Sequence, residues 1–312
     1  MTRKDITSSL LLLLTAAIWG FAFVAQKVGG AYVGSFTFNG IRFLIGSASL
    51  IPVILLLDRS RAKSEGEKSL SAADAAALRK KTLAIGIGAG LILCIAANLQ
   101  QVGISGIAGL PGTTAGKAGF ITALYVVLVP VCGIFMRQRV GKNVWLGMVL
   151  AITGIYLLSV TEGFSIAFGD LIVLIGAFFW TAHILYIDKF VHDADPVKIS
   201  ALQFATAGVI SLVIAVCTEP IVWEGILSAA PAILYGGVFS TGVAYTLQVV
   251  AQRDAKPALA AIILSMESVF SVIGGALLLN EQMTARGYLG CVLVFTALIL
   301  AQVKFTKAKQ VQ

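Results

Sequence analysis

Ten stretches of about twenty mostly apolar residues, separated by short polar breaks, dominate this chain. They lie near 9–29, 34–57, 82–101, 115–136, 143–161, 168–188, 198–217, 227–251, 257–279 and 285–304. A helix needs about 20 apolar residues to cross the hydrocarbon of a bilayer, and irregular backbone cannot face lipid. The pattern predicts an all-α integral membrane protein with ten transmembrane helices. Composition points the same way: 58% of the 312 residues are apolar and 12% are charged, about half the charged share of an ordinary soluble chain. In water such a chain would leave large apolar patches exposed. The first stretch has basic flanks, Arg3 and Lys4, as a signal peptide would. Its length, the lack of a good A-x-A site and a repeat partner for its Trp19 mark it as a retained span.

The formal net charge of +8 does not point to nucleic acid, because no basic stripe lines a polar face. Lys and Arg sit in the breaks instead. The N-terminus, 58–81, 137–142, 189–198, 252–256 and the C-terminal tail hold 19 of them, whereas the alternate connections hold three: Lys27, Lys117 and Arg286. Basic residues favour the cytoplasmic side, so both termini are expected there, in a multi-pass protein of the inner (plasma) membrane. The 58–81 loop is the only sizeable soluble segment, and the Ser71–Asp74 spacing predicts a short capped helix within it. Cys94, Cys132, Cys217 and Cys291 fall inside apolar runs, with no CxxC and no nearby His. They read as small core hydrophobes, so neither a metal nor a cofactor is expected.

The chain also resembles itself. At an offset of 161, Leu10, Leu13, Ala16 and Trp19 match Leu171, Leu174, Ala177 and Trp180, and Arg42-Phe43 aligns with Gln203-Phe204. At 148, Ala96, Leu99, Gln100 and Val102 match Ala244, Leu247, Gln248 and Val250. At 143, Leu146-Gly147, Val149-Leu150, Thr153 and Leu157 match Leu289-Gly290, Val292-Leu293, Thr296 and Leu300. The Trp, Gln and Leu-Gly pairs carry the argument, since leucines match by chance. Two units follow, residues 1–162 with the 58–81 loop and residues 163–312 with a short tail. Each has five spans, so the second must enter the membrane upside down. Inverted repeats are a hallmark of secondary transporters, which hold substrate at the midplane and alternate between two access states.

Trp19, Arg42-Phe43, the Gly-Phe-Ile-Thr-Ala-Leu-Tyr-Val-Val-Leu-Val-Pro run at 119–130, and Leu264-Ser265-Met266-Glu267 leading to Asn280-Glu281 resemble the drug/metabolite transporter superfamily, most closely its EamA-type members. The resemblance covers roughly residues 8–305. It implies ten helices, cytoplasmic termini, a central cavity, and export or exchange of small metabolites, often amino acids. Two departures stand out: Ser268 occupies a position where many relatives have Pro, and Asn280-Glu281 replaces Gly-Glu.

Polar groups inside spans are expensive and need a reason. Asn98, Gln100 and Gln101 cluster on the third span, while Tyr245 and Gln248 lie one turn apart on the eighth. They form either a hydrogen-bonding wall for a polar substrate or interhelical bonds worth about 0.6 kcal/mol each on average. Trp180 and His183 share a helix face, and Trp19, Phe23 and Gln26 form the related stripe on the first span. Such rings either pack or hold an ammonium. His183, whose repeat partner is Ala22, is a proton relay, a substrate contact or a histidine satisfied by a carbonyl. Tyr125, in the 119–130 run, joins the cavity set. Arg42 attracts an anion or bonds to a helix end, and Lys117 snorkels outward or faces the cavity. Pro52 and Pro130 each remove a backbone donor and should bend their helices. Glu267, in the ninth span, is costly as a charged group unless a cation or a hydrated cavity offsets burial. It is either a proton-coupling group or a neutral carboxyl bonded to a neighbouring helix.

A secondary transporter is the leading expectation, exporting or exchanging amino acids or similar metabolites. Efflux of hydrophobic cations, or uptake, is the alternative within transport. No Walker A pattern supplies an ATP motor, and neither a GxSxG nor an HExxH pattern supports an intramembrane enzyme. The expected partners are a small-molecule substrate and the lipid bilayer, with the chain a monomer or homodimer and no nucleic acid.

Overall fold

A computed structural model describes residues 3–64, 71–106, 109–113, 115–135, 140–159, 168–279 and 285–302, and these are mostly helical, with no strand among them. The first three helices are α1 (Arg3–Gly29), α2 (Ser35–Ser64) and α3 (Ala72–Ser105). Two short pieces follow, α4 (Ala115–Thr122) and α5 (Tyr125–Phe135), then α6 (Lys142–Ser159), α7 (Phe168–Phe190) and α8 (Pro196–Thr218). Next, α9 (Trp223–Leu234) runs through a π-helical segment, Tyr235–Tyr245, into α10 (Thr246–Ala251). The last are α11 (Pro257–Leu264), α12 (Glu267–Leu279) and α13 (Ala285–Gln302).

Seven of the described helical stretches are long and apolar enough to cross a membrane. Three shorter apolar helices, Tyr125–Phe135, Lys142–Leu157 and Ala285–Leu300, accompany them. Large apolar side chains such as Leu56, Val216, Leu277 and Ile299 remain exposed on the outside of the bundle, where lipid rather than water suits them. Inside, the two halves of the sequence interleave: α1 packs on α12, α2 on α8, α3 on α7 and α8, α5 on α11, and α6 on α13. Small residues permit this. A Cβ on Gly90 of α3 would lie 2.8 Å from the Gln203 carbonyl oxygen of α8, so only glycine lets those backbones approach so closely.

Three expectations need correction. Among its described residues the 58–81 segment holds no separate helix: α2 continues to Ser64, and the alanine-rich run is the start of α3. Ser71 does cap it, accepting from the Asp74 amide at 3.1 Å, but no breaker separates that turn from the apolar span that follows. Second, the fourth span is two helices rather than one, interrupted at Ala123–Leu124; Pro130 lies inside α5 and Pro52 inside α2. Third, the ninth span breaks at Ser265–Met266 without a proline. There the Ser265, Ser268 and Ser271 hydroxyls donate in series to the carbonyls of Ile262, Ser265 and Ser268 at 2.7–2.8 Å. Backbone i→i−3 bonds, such as Met266 N–H to Ile263 O at 3.2 Å, carry the chain through the interruption, and the hydroxyls add donors around it.

Candidate functional site

The two interruptions meet inside the bundle. Tyr125, first residue of α5, donates its hydroxyl to Oε1 of Glu267, first residue of α12, at 2.9 Å. Both side chains line a cavity walled by α1, α3, α7 and the π-helical segment as well. Glu267 is 4% exposed and sits at a helix N-terminus, where the helix dipole favours negative charge.

A cation faces the same space. Arg42 of α2, 2% exposed, donates from Nε to Asn39 Oδ1 at 2.8 Å, lies over the Phe43 ring at 4.4 Å, and sits beside the Tyr245 hydroxyl. Neither Arg42 nor Glu267 has an ion-pair partner among the described residues. Burying a charge is costly unless it is matched, and here a guanidinium and a carboxyl line one cavity with no ion pair between them.

Aromatic rings complete the wall. Trp19 and Trp180, partners in the repeat, both pack on Tyr245, with centroids 4.5 and 6.0 Å apart. Their indole N–H groups are fixed by Ser240 O at 3.2 Å and Gln100 Oε1 at 2.9 Å. Phe23 lines the cavity beside Gln26, which accepts from Gln100 Nε2 at 3.1 Å. Gln248, the repeat partner of Gln100, also lines the cavity, with its Oε1 unpartnered.

Of the residues singled out from sequence, Trp19, Phe23, Arg42, Tyr125, Trp180, Tyr245, Gln248 and Glu267 converge on this cavity. Three do not. Asn98 is spent in a buried network, donating to Ser211 Oγ at 2.7 Å and accepting from Asn39 Nδ2 at 2.9 Å. Gln101 points away from the cavity, donating to Gln26 O and Ser105 Oγ, each at 3.1 Å. One residue along a helix turns the side chain by about 100°, which is why Gln100 reaches the cavity and Gln101 does not. His183 stands one layer behind, edge-on to Trp180 and Tyr245, with Nε2 2.8 Å from Gln203 Oε1; it is met by a side-chain amide rather than a backbone carbonyl. Lys117 falls in α4, and its side chain lies outside the described residues, as do Asn280 and Glu281.

Sequence reading overlooked Ser240 and Thr122. A residue five positions before Tyr245 lies on another face of an ideal α-helix. The π-helical segment closes i→i+5 turns, with Thr241 Oγ1 bonded to Gly236 O at 2.7 Å, and brings Ser240 and Tyr245 to one face. Three glycines, Gly236, Gly237 and Gly242, were the available signal.

A bundle of long apolar helices, broken where buried polar and ionisable groups meet, defines a multi-pass membrane protein with an internal polar cavity. The profile of the EamA-like transporter family matches the chain twice, at residues 6–160 and 167–302. The protein belongs to this family. It is 30% identical over 302 residues to an "Uncharacterized transporter" of Archaeoglobus fulgidus, covering 96% of this chain and 87% of that one. Over 299 residues it is 24% identical to the "Uncharacterized transporter YoaV" of Bacillus subtilis, covering 94% and 95%. A crystal structure at 17% identity superimposes with a TM-score of 0.72 over 95% of this chain and 96% of that one, so the fold is shared.

Proposed function

We propose that this protein is a secondary transporter that exports or exchanges amino acids or similar small zwitterions across the inner membrane. The observation that carries the reading is the pairing of Arg42 and Glu267 on one cavity, unmatched by each other. A substrate carboxylate suits the guanidinium, which offers a planar fork of donors. A substrate ammonium suits Glu267 and the faces of Trp19, Trp180 and Tyr245. Gln248, whose Oε1 is unpartnered, supplies a neutral acceptor to that space, while Gln100 holds Trp180 in place.

The reading includes ten spans in two inverted five-helix units, 1–162 and 163–312, with both termini cytoplasmic. Two successive family matches of similar length support the repeat. The ten spans come from joining α4 to α5, α9 to α10, and α11 to α12 across their interruptions. The basic asymmetry between alternate connections supports the orientation. Broken helices at a central site suit alternating access, because interrupted backbone is tolerated where it lines a cavity.

The aromatic lining around Glu267 also favours a second reading, efflux of hydrophobic organic cations. Arg42 separates the two, since a bare cation leaves it unmatched and is repelled by it. Purified protein in proteoliposomes, screened for uptake and counterflow with amino acids, nucleosides, organic anions and organic cations, tests both. Amino-acid counterflow supports the first reading, whereas transport confined to organic cations replaces it with the second.

A further inference from the structure

α2 and α8 run antiparallel and are joined at both ends by an acid. Toward the end of α2, Asp58 Oδ1 lies 2.8 Å from Lys198 Nζ in the first turn of α8. At the other end Glu219, just past α8, accepts from the Phe36 and Thr37 amides at 2.9 and 2.8 Å and from the Thr37 hydroxyl at 2.7 Å. Its carboxylate thereby satisfies donors that the first turn of α2 leaves orphaned, at the positive end of the helix dipole. In sequence the two joints are one joint repeated. Thr37 precedes Lys198 by 161 residues and Asp58 precedes Glu219 by 161, the offset that aligns Arg42-Phe43 with Gln203-Phe204.

The helices are also close between the joints. A Cβ on Gly40 would fall 2.6 Å from Leu212 Cγ, and one on Gly208 2.8 Å from Leu44 Cγ. Each would also stand 3.0 Å from a backbone nitrogen of the facing helix, so backbone as well as side chain sets the spacing. Ser47 Oγ donates to the Ala201 carbonyl at 2.9 Å. Parting or sliding this pair would break all these contacts together, and packed interfaces of this kind are bistable rather than gradually deformable.

We propose that α2 and α8 form a fixed spine that stays closed at both ends through the working cycle, and that access to the cavity opens by movement of other helices. Asp58, Lys198, Thr37 and Glu219 are positioning residues that hold its register and so keep Arg42 at the cavity wall. The interrupted pairs α4–α5 and α11–α12, whose backbones tighten into i→i−3 bonds at the cavity as mid-helix hinges do, supply the moving parts. The proposal rests on the transport reading for the meaning of the cycle.

The test joins the ends covalently. Gly34→Cys with Glu219→Cys, and Asp58→Cys with Lys198→Cys, are made in a chain whose four native cysteines are replaced, then cross-linked with a short bismaleimide. Joining either or both ends, with the link standing in for the bonds the substitutions remove, is expected to leave each variant's counterflow in proteoliposomes no lower than before cross-linking. Loss of transport on joining either end, in a variant active before cross-linking, overturns the spine. Should the parent protein transport nothing in the panel, the functional reading fails. The spine is then judged separately, by spin-label distances across the same two pairs in lipid nanodiscs. One narrow distance at each end supports it, and two populations at either end overturn it. If the Gly34 and Glu219 variant does not fold, labels at Tyr32→Cys and the native Cys217, both exposed, report on the same end.

Discussion

The Tyr125 hydroxyl and Glu267 Oε1, 2.9 Å apart, tie the break in the fourth span to the break in the ninth, although 142 residues separate them in sequence. This bond holds the carboxyl of the cavity in place across the boundary between the two halves. Tyr125→Phe removes the bond and little else. We expect a folded protein whose substrate affinity falls roughly three- to tenfold, the equivalent of one hydrogen bond worth about 0.5–1.5 kcal/mol. Titration calorimetry on purified protein checks this, and unchanged affinity would show that the bond does not orient the site.

Glu267→Gln keeps the size of the side chain and its capacity to accept from Tyr125, while abolishing its charge change. If Glu267 couples transport to protons, counterflow, which needs no net driving force, persists in this variant. Acceleration by an imposed pH gradient is lost. A variant that retains the full pH-gradient response of the parent assigns coupling elsewhere.

Arg42→Gln installs the residue that occupies the repeat-related position, Gln203, and is therefore expected to fold. It removes the only described cation lining the cavity. A charge-assisted hydrogen bond is worth about 1.5–3 kcal/mol, so amino-acid affinity should fall roughly ten- to hundredfold. Affinity for an amine lacking a carboxylate should hold or rise. An equal loss for both ligands would make Arg42 structural.

Gln248 and Asn98 both looked like cavity amides, and they should now behave differently. Gln248→Ala leaves the helix contacts in place and should weaken binding with little change in thermal stability. Asn98→Ala strips partners from Asn39 and Ser211 in a buried network, at a cost of about 1–3 kcal/mol in stability. Thermal unfolding in detergent alongside ligand titration separates the two; a Gln248 variant that loses stability but not affinity would contradict the assignment.

Orientation is read by labelling. Single cysteines at Gly34 and Glu224 in a cysteine-free chain should react with an impermeant thiol reagent added to intact cells, whereas one at Ser64 should not. The reverse pattern would place the basic connections outside, against the distribution of charge.

The periodic apolar runs determined the helical fold class and most helix positions, because a bilayer demands about 20 apolar residues per crossing whatever the packing. The repeat pairs Trp19 with Trp180 and Gln100 with Gln248, and all four line the cavity. Glu267 and Arg42 stood out because charge inside an apolar run is expensive. Sequence periodicity did not separate Gln100 from Gln101, since adjacent amides on an unlocated helix face are equivalent until a neighbour defines the inside. It did not reveal Ser240, whose place on the cavity depends on the hydrogen-bond spacing of the π-helical segment. Nor did it show that Tyr125 meets Glu267, or that Asp58 and Glu219 join α2 to α8 at both ends. Those pairings arise only when the two halves interleave, and contacts between distant residues are decided by packing of the whole bundle rather than by any local pattern.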